Sequence, residues 1–346
     1  MTIETTKPTD PYKSGFDTGH GNLLTRDFNI KIGDSGNKVT IVQLTDLHIR
    51  LIDDNNSYDK NNKTLQKTKT HRNWPNQTTV ELNLKAALNY YESLKADQLI
   101  ITGDALDCLS MGGLNYLKEK IWNRFGKYNV LIAPGNHELI QNIQDAKVKV
   151  DNPETETAEA RYKLLKDNWG GTDPIYESRV LQNKVMVITM DNGLNDRDEI
   201  AKPHFGKLFH DEQVAMLTAD LKLARQNGYA VLLFMHSPIG TGNPADTSVQ
   251  ITYDPDTPTY GSGVGKTQNL YENVAAGTPN NGDSAASAAI WNLIYENSDI
   301  VAAVFAGHVH GDFYSEIIGK TRKIPQILLR GMCYEQGHAL KITVEY

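Results

Sequence analysis

The sequence feature that most constrains the fold is a repeated alternation of short apolar runs with amphipathic helical segments. The runs KVTIVQLTD (38–46), LIITGD (99–104) and NVLIAPGNH (129–137) are rich in β-branched residues, and each one stops at a polar or glycine-containing turn. Further runs of this kind cover 184–192, 230–240 and 299–311. Buried strands appear as continuous apolar runs, and strands that alternate with helices are typical of βαβ units. The pattern therefore predicts an α/β protein with a largely buried sheet.

The length of 346 residues fits one large domain with insertions. Residues 1–37 are polar, and we interpret them as an N-terminal tail or hairpin before a single domain over 38–346. Residues 241–283 are rich in Gly, Thr, Pro and Asn without periodicity, which predicts a long loop insertion of functional use. Three short apolar runs after residue 311 resemble the strands of an antiparallel meander.

Charge and composition exclude several classes of partner. The formal net charge of −7 and the absence of a basic run argue against binding to long nucleic acid. No run approaches the roughly 18 apolar residues of a membrane span, and the first residues do not resemble a signal peptide. We therefore expect a cytoplasmic protein without a membrane partner, and the oligomeric state stays open. The two cysteines, Cys108 and Cys333, are expected to be free thiols.

Metal-binding residue types follow directly after several of the predicted strands. Ligands of α/β proteins bind at the carboxyl ends of strands, so these side chains are expected to meet. Residues two apart in an extended segment project to the same side, so Asp46 and His48 are expected to share one side, and likewise His308 and His310. The candidates in chain order are Asp46, His48, Asp104, Asp107, Asn136, His137, Glu138, His236, His308 and His310. A mixture of imidazole, carboxylate and amide groups suits Mn, Fe, Zn or Co better than Ca or Mg.

The order of these motifs resembles one known family. An isolated D-x-H or H-x-H is more often a turn or a surface pair than a metal site. Here D-x-H, G-D-x-x-D, G-N-H-E, a lone His and G-H-x-H follow one another over residues 38–311. This pattern resembles the calcineurin-like metallophosphoesterases, and most of all the bacterial members similar to class III cyclic-nucleotide phosphodiesterases. The resemblance implies a four-layered α/β/β/α sandwich of two mixed sheets, with the site at one edge of the paired sheets.

The resemblance also implies a role for each residue. One metal ion would be held by Asp46, His48, Asp104 and His310. The other would be held by Asp104, Asn136, His236 and His308, with Asp104 bridging the two. The two divalent or trivalent ions, Mn, Fe or Zn, would activate water and stabilise an in-line displacement. His137 would donate a proton to the leaving oxygen or hydrogen-bond the transition state, while Asp107 and Glu138 would orient the ligands.

Departures from the family pattern narrow the substrate class. Protein Ser/Thr phosphatases have Arg-Gly where this chain has Cys108 and Leu109, and an Arg where it has Pro134. Purple acid phosphatases have a tyrosine at the position of Asp107. We therefore expect hydrolysis of a small phosphorylated substrate, with a nucleotide-like phosphodiester slightly preferred. The alternatives are a phosphomonoesterase acting on a small metabolite, a non-catalytic metal-binding scaffold and, disfavoured by the acidic charge, a nuclease.

The remaining histidines and one glycine-rich segment receive no functional role. His71, His204, His210 and His338 are interpreted as ordinary loop or surface histidines. The segment GSGVGKT (261–267) is one residue shorter than the phosphate-binding loop pattern and does not follow a buried strand. We therefore assign it no phosphate-binding role.

Overall fold

Two six-stranded mixed sheets form the centre of the protein. The computed structural model describes residues 2–12, 23–71, 73–139, 158–171, 173–192, 209–240 and 285–346. The strands are β1 (Glu4–Thr5), β2 (Leu24–Lys31), β3 (Lys38–Leu44), β4 (Gln98–Thr102), β5 (Val130–Ala133), β6 (Tyr176–Leu181), β7 (Val185–Met190), β8 (Ala230–Met235), β9 (Val301–Ala306), β10 (Phe313–Ile317), β11 (Ile324–Leu328) and β12 (His338–Glu345).

The first sheet has the order β1-β2-β12-β3-β4-β5. Its strands β3, β4 and β5 are parallel neighbours, as the alternation of strands and helices predicts. The C-terminal strand β12 lies antiparallel to β3 and parallel to β2. The stretch 1–37, interpreted as a tail or hairpin, therefore contributes β1 and β2 to this sheet, and the two pair antiparallel.

The second sheet has the order β10-β11-β9-β8-β7-β6. Its inner strands β7, β8, β9 and β11 are parallel, and the edge strands β6 and β10 are antiparallel to their neighbours. The prediction of an antiparallel meander after residue 311 is wrong for its last strand, β12. Only β10 and β11 pair there, because β12 is hydrogen-bonded within the first sheet instead.

Helices in the described part of the chain pack on the outer faces of the sheets or lie in the connections between strands. They are α1 (Ser57–Asn61), α2 (Lys63–His71), α3 (Gln77–Leu94), α4 (Met111–Leu117), α5 (Asn123–Phe125), α6 (Asn136–Leu139), α7 (Ala158–Asn168), α8 (Asp211–Asn227) and α9 (Ala285–Glu296), and a π-helical turn (Lys118–Trp122) joins α4 to α5. The N-cap of α3 is Asn76, whose side chain accepts from the backbone N–H of Thr79 at 3.2 Å. Gly228 ends α8 with φ of 68°, a left-handed conformation that glycine adopts without strain.

Three buried apolar clusters define the layers. One cluster lies between the sheets and includes Phe28 of β2 with Phe234 and Phe305 of the second sheet. The last two rings stack with centroids 4.7 Å apart. A second cluster joins the first sheet to α3 and α4, and a third joins the second sheet to α8 and α9. The predicted α/β/β/α sandwich of two mixed sheets is therefore confirmed.

Other expectations concern the cysteines, the long loop and the membrane. Cys108 and Cys333 are buried free thiols, as expected. The predicted loop insertion at 241–283 lies outside the described residues. Within the described part of the chain, no helix combines the length and the apolar character needed to cross a membrane. The cytoplasmic location and the division into domains stay predictions.

Candidate metal centre

The predicted metal-binding side chains come together where strands of both sheets end. Asp46 and His48 follow β3, Asp104 follows β4, and Asn136 follows β5. On the second sheet, His236 follows β8, and His308 and His310 follow β9. We call this region the shared edge, because loops from both sheets contribute to it. All seven side chains predicted as metal ligands lie there.

One group of potential ligands contains Asp46, His48, Asp104 and His310. Their ligand atoms all lie within 4.8 Å of one another. His310 Nε2 lies 3.1 Å from Asp46 Oδ1, and the Nε2 atoms of His48 and His310 are 3.1 Å apart. This group has the composition that the resemblance implies for the first metal ion.

A second group contains Asp104, His236 and His308, again within 4.8 Å. His236 Nε2 lies 3.1 Å from Asp104 Oδ2, 3.0 Å from Asn136 Oδ1 and 3.2 Å from His308 Nδ1. Asp104 therefore belongs to both groups, and a carboxylate can serve two ions because each of its oxygens accepts separately.

The donor atoms fit a pair of cations. The Nε2 atoms of His48 and His310 lie 3.1 Å apart. One cation between them can be bound by both nitrogens. Metal–nitrogen bonds of about 2.0–2.1 Å require ligand nitrogens about this close together. The mixed nitrogen and oxygen set suits Mn, Fe or Zn.

Backbone strain is concentrated at the same residues. Asp46, His48, Asp104, His308 and His310 all have positive φ, between 47° and 71°. A non-glycine residue in this region costs about 1–3 kcal/mol and persists only where the surrounding structure enforces it. Such strain is common at functional sites, and here it turns successive side chains toward one centre.

A comparison with protein families shows the family of the chain. A family model described as calcineurin-like phosphoesterase matches residues 39–312. The chain belongs to the calcineurin-like phosphoesterase family. It is therefore a metal-dependent phosphoesterase, and the resemblance drawn from its motifs is confirmed.

Two phosphatases are among the solved structures to which the chain is similar. A dimetal phosphatase from Danio rerio is 13% identical, covers 85% of this chain and 88% of its own, and has a TM-score of 0.43. A purple acid phosphatase from yellow lupin (Lupinus luteus) seeds is 11% identical over 93% of this chain, with a TM-score of 0.44. This chain spans 57% of the lupin protein. No curated protein matches the chain. The family assignment rests on the match to the family model.

Hydrogen bonds at the outer nitrogens orient three histidines of the phosphoesterase. The Nδ1 atoms of His48, His236 and His310 lie 3.2 Å from Asp107 Oδ1, 2.9 Å from the carbonyl of Thr102 and 3.1 Å from the hydroxyl of Tyr334. When Nδ1 carries the proton, the lone pair of Nε2 faces the centre.

Asp107 and Glu138 lie beside the centre, where they are predicted to orient the ligands. Asp107 is fully buried and accepts from His48, and Arg50 Nη1 lies 3.4 Å from its other oxygen. Glu138 accepts from the backbone N–H groups of Leu106 and Gly135, at 2.7 and 2.6 Å. It thereby ties the loop after β4 to the loop after β5.

His137 lies at the rim of the centre. Its backbone N–H donates to Asp104 Oδ1 at 2.8 Å, and its Nδ1 lies 3.0 Å from the carbonyl of Asp107. Its Nε2 is 4.0 Å from Asp104 Oδ2. Burial alone would lower the pKa of His137, but the charges of Asp104 and Asp107 outweigh it and raise the pKa to about 9.

Sequence reasoning missed three side chains near the centre. Tyr334 contacts His310, and Trp74 stacks on the same ring with centroids 5.7 Å apart. Cys333 offers its sulfur within 4.8 Å of ligand atoms of His48 and His310. None of these positions belongs to a recognisable motif, so no signal in a single sequence marks them.

Two histidines interpreted as ordinary loop or surface residues are buried and paired with carboxylates. His210 Nε2 lies 2.9 Å from Asp191 Oδ2, and His338 Nδ1 lies 2.6 Å from Asp312 Oδ2. The interpretation was wrong because their partners lie on other elements. His204 and the segment 261–267 lie outside the described residues, and His71 is the last residue of α2.

Proposed function

We propose that this phosphoesterase hydrolyses small phosphate esters at a two-metal centre, and that it prefers a nucleotide-like phosphodiester. The observation that carries the proposal is the position of Asp104 in both groups of potential metal ligands. A single shared carboxylate is what a two-metal centre needs, because ions about 3.5–4 Å apart can then act on one phosphate.

The proposed centre divides the ligands as the family resemblance implies. Asp46, His48, Asp104 and His310 would hold one ion, and Asp104, Asn136, His236 and His308 would hold the other. When bound, the ions of Mn, Fe or Zn would polarise the phosphate and activate water for an in-line displacement. Only Asp46 and Asp104 among these ligands carry negative charge. Two divalent ions therefore keep the centre positive, which favours an anionic substrate.

His137 is proposed as the proton donor to the leaving oxygen. Its Nδ1 lies 3.0 Å from the carbonyl of Asp107, so Nδ1 carries a proton in either charge state. Without bound ions, the raised pKa favours a second proton on Nε2, the nitrogen nearer to Asp104. A proton on Nε2 can pass to an alkoxide as the phosphorus–oxygen bond breaks.

Three observations support a small diester with a nucleoside-like group. Trp74 and Tyr334 place aromatic rings against His310, next to the proposed first ion. Aromatic rings at such a site offer a packing surface to a base. The residues at 108, 109 and 134 also depart from the protein phosphatase pattern, and the net charge of −7 disfavours long nucleic acid.

The proposal is tested with metal-stripped protein and a panel of substrates. Activity is measured on bis(p-nitrophenyl) phosphate, p-nitrophenyl phosphate and a 3′,5′-cyclic nucleotide after adding Mn, Fe or Zn ions. We expect metal-restored hydrolysis, with higher kcat/KM on the diesters. Faster turnover of the monoester would overturn the diester preference alone. No hydrolysis with any metal would overturn the proposed function.

A further inference from the structure

Gln77 holds the loop that carries His48. It is the first residue of α3, and its side-chain amide spans two backbone groups of the loop after β3. Oε1 accepts from the N–H of Arg50 at 2.7 Å, and Nε2 donates to the carbonyl of His48 at 3.0 Å. The amide thus holds the backbone on both sides of Ile49.

Asn192 holds the loop that carries His236 in the same way. It lies two residues beyond β7, and its side chain is buried. Its Oδ1 accepts from the N–H of Ser237 at 2.9 Å, and its Nδ2 donates to the carbonyl of Ser237 at 2.6 Å. Ser237 directly follows His236, so the amide fixes the peptide group that leaves this histidine.

The two amides act on different halves of the centre. Of the two groups that share Asp104, His48 belongs to the one with Asp46 and His310, and His236 belongs to the one with His308. The loop of His48 also needs restraint, because His48 has a φ of 49° that costs energy to maintain. For His236, the carbonyl accepts from Gly307 N–H at 2.9 Å, and Asn192 secures the next residue.

We propose that Gln77 and Asn192 are positioning residues, and that each one sets the affinity of a different metal ion. Gln77 would act on the ion bound by His48, and Asn192 on the ion bound by His236. The inference rests on the proposed two-metal centre. Backbone N–H and C=O groups that lose such partners must move to find water or other hydrogen-bonding groups, and the ligand histidine moves with them.

The chain provides a matched control in Gln326. This buried side chain of β11 makes the same pair of bonds to the backbone of Ile239, at 2.8 and 3.0 Å. Ile239 lies on the same loop as His236 but three residues beyond it. Gln326→Ala therefore removes an equivalent pair of hydrogen bonds, but from a residue that is not adjacent to a candidate ligand.

The test measures binding of Mn²⁺ to metal-stripped protein by calorimetry and by electron paramagnetic resonance. His310→Ala and His308→Ala identify which binding step belongs to each site. We expect Gln77→Ala to weaken the step lost in His310→Ala by about 10–100-fold, and Asn192→Ala to weaken the step lost in His308→Ala by a similar factor. The other step should change several-fold less in each case. Gln326→Ala should lower thermal stability while preserving both steps.

Conservative variants separate positioning from a general loss of structure. Gln77→Glu and Asn192→Asp keep an acceptor for the backbone N–H but lose the amide donor. They should recover part of the affinity at the same site, and they replace the alanine variants if those do not fold. Equal weakening of both steps by either variant, or site-selective weakening in Gln326→Ala, would overturn the inference. Wild-type protein that binds two ions without hydrolysing any ester would overturn the proposed function and leave this inference standing.

Discussion

The two sheets contribute different chemistry to the centre. The first sheet supplies both carboxylates and the amide, through Asp46, Asp104 and Asn136, together with a single imidazole, His48. The second sheet supplies only imidazoles, from the loops after β8 and β9. Each group of potential ligands draws on both sheets. Neither half of the molecule contains a complete site, so metal binding depends on how the sheets pack.

Contacts between the halves also exist without a metal. The backbone N–H of His308 lies 3.2 and 3.1 Å from the two oxygens of Asp46. Away from the centre, Asp312 of the second half lies 3.2 Å from Arg26 Nη1 and 2.6 Å from His338 Nδ1, both in the first sheet. The contact of His308 with Asp46 thus involves candidate ligands. The contacts of Asp312 join the two sheets away from those ligands.

The largest effect is expected for Asp104→Asn, which removes the charge shared by both groups. Without this charge both metal ions would be bound less tightly, and the transition state would lose several kcal/mol of stabilisation. We therefore expect kcat/KM to fall by about a thousandfold or more. Both Mn²⁺ binding steps should weaken in calorimetry. The exposed Asp299, paired with Arg225 on the surface, provides Asp299→Asn as a control with unchanged activity. An Asp104→Asn variant with more than about a tenth of wild-type activity would contradict the shared role.

A smaller loss is expected for His137→Ala, and its size should depend on the leaving group. General acids contribute about 10²–10⁴-fold where the leaving oxygen needs a proton. An alkyl ester should therefore lose far more activity than a p-nitrophenyl ester, whose leaving group is stable as an anion. An equal loss on both substrates would exclude proton donation by His137.

The same residue predicts a pH dependence. A proton donor is active below its pKa and inactive above it, so activity on the alkyl ester should fall as pH rises through the pKa of His137. The carboxylates raise this pKa to about 9, while bound cations oppose the rise toward the ordinary value of about 6.5. The alkaline limb of the kcat/KM profile should therefore lie below about 9 and should be absent in His137→Ala.

Gly307→Ala should disturb the contact between the halves directly. A Cβ at Gly307 would overlap Thr45 Oγ1 and lie 2.6 Å from Asp46 Oδ2. Overpacking of this kind costs about 1–3 kcal/mol of stability, and activity should fall because Asp46 must move. Gly171→Ala is the control, since its nearest contacts would be an ordinary 3.4 Å. Wild-type stability and activity in Gly307→Ala, measured by urea unfolding and assay, would contradict the close fit.

The smallest effect on activity is expected for Asp312→Asn, which weakens the contact that only joins the sheets. Hydrogen bonds to charged groups contribute about 1.5–3 kcal/mol, so the free energy of unfolding should fall by an amount of this order. Kinetic parameters should stay close to the wild-type values, because Asp312 belongs to neither group of potential ligands. A large loss of activity would show that the contact also serves the centre.

The stability difference should also depend on pH. Burial alone would raise the pKa of Asp312, but the hydrogen bond and charge of His338, with the charge of Arg26, lower it below its ordinary value. A carboxyl whose pKa is lowered by folding stabilises the protein above its unfolded pKa of about 3.9. This contribution is lost as pH falls through the lower, folded pKa. Urea unfolding at neutral and acidic pH should show wild type and variant converging in acid.

The fold class and the candidate ligands were accessible from the sequence because both depend on local patterns. Apolar runs predicted β3, β4 and β5 of the first sheet and β7, β8 and β9 of the second. The polar motifs that end these runs predicted Asp46, Asp104, His236 and the other candidate ligands. The partner of β12 was not accessible. An apolar strand of that length satisfies its backbone equally well in either sheet, and only packing chooses between them.

The residues that orient the centre were inaccessible for a related reason. Asn192 and Ser237 are 45 residues apart in the chain, and Gln77 lies 29 residues from His48. Neither amide carries a spacing or a motif that distinguishes it from a surface amide. His210 and His338 were misassigned for the same reason, because their carboxylate partners come from separate elements.

By itself, the sequence determined the chemical types of the candidate ligands and their order along the chain, since these are properties of short segments that follow strands. The tertiary structure decided which nitrogen of each histidine faces the centre, which neighbours hold the strained loops, and that Asp104 lies in both groups. These features depend on distances between atoms far apart in the chain. Such distances arise only when two sheets pack and their strand ends meet.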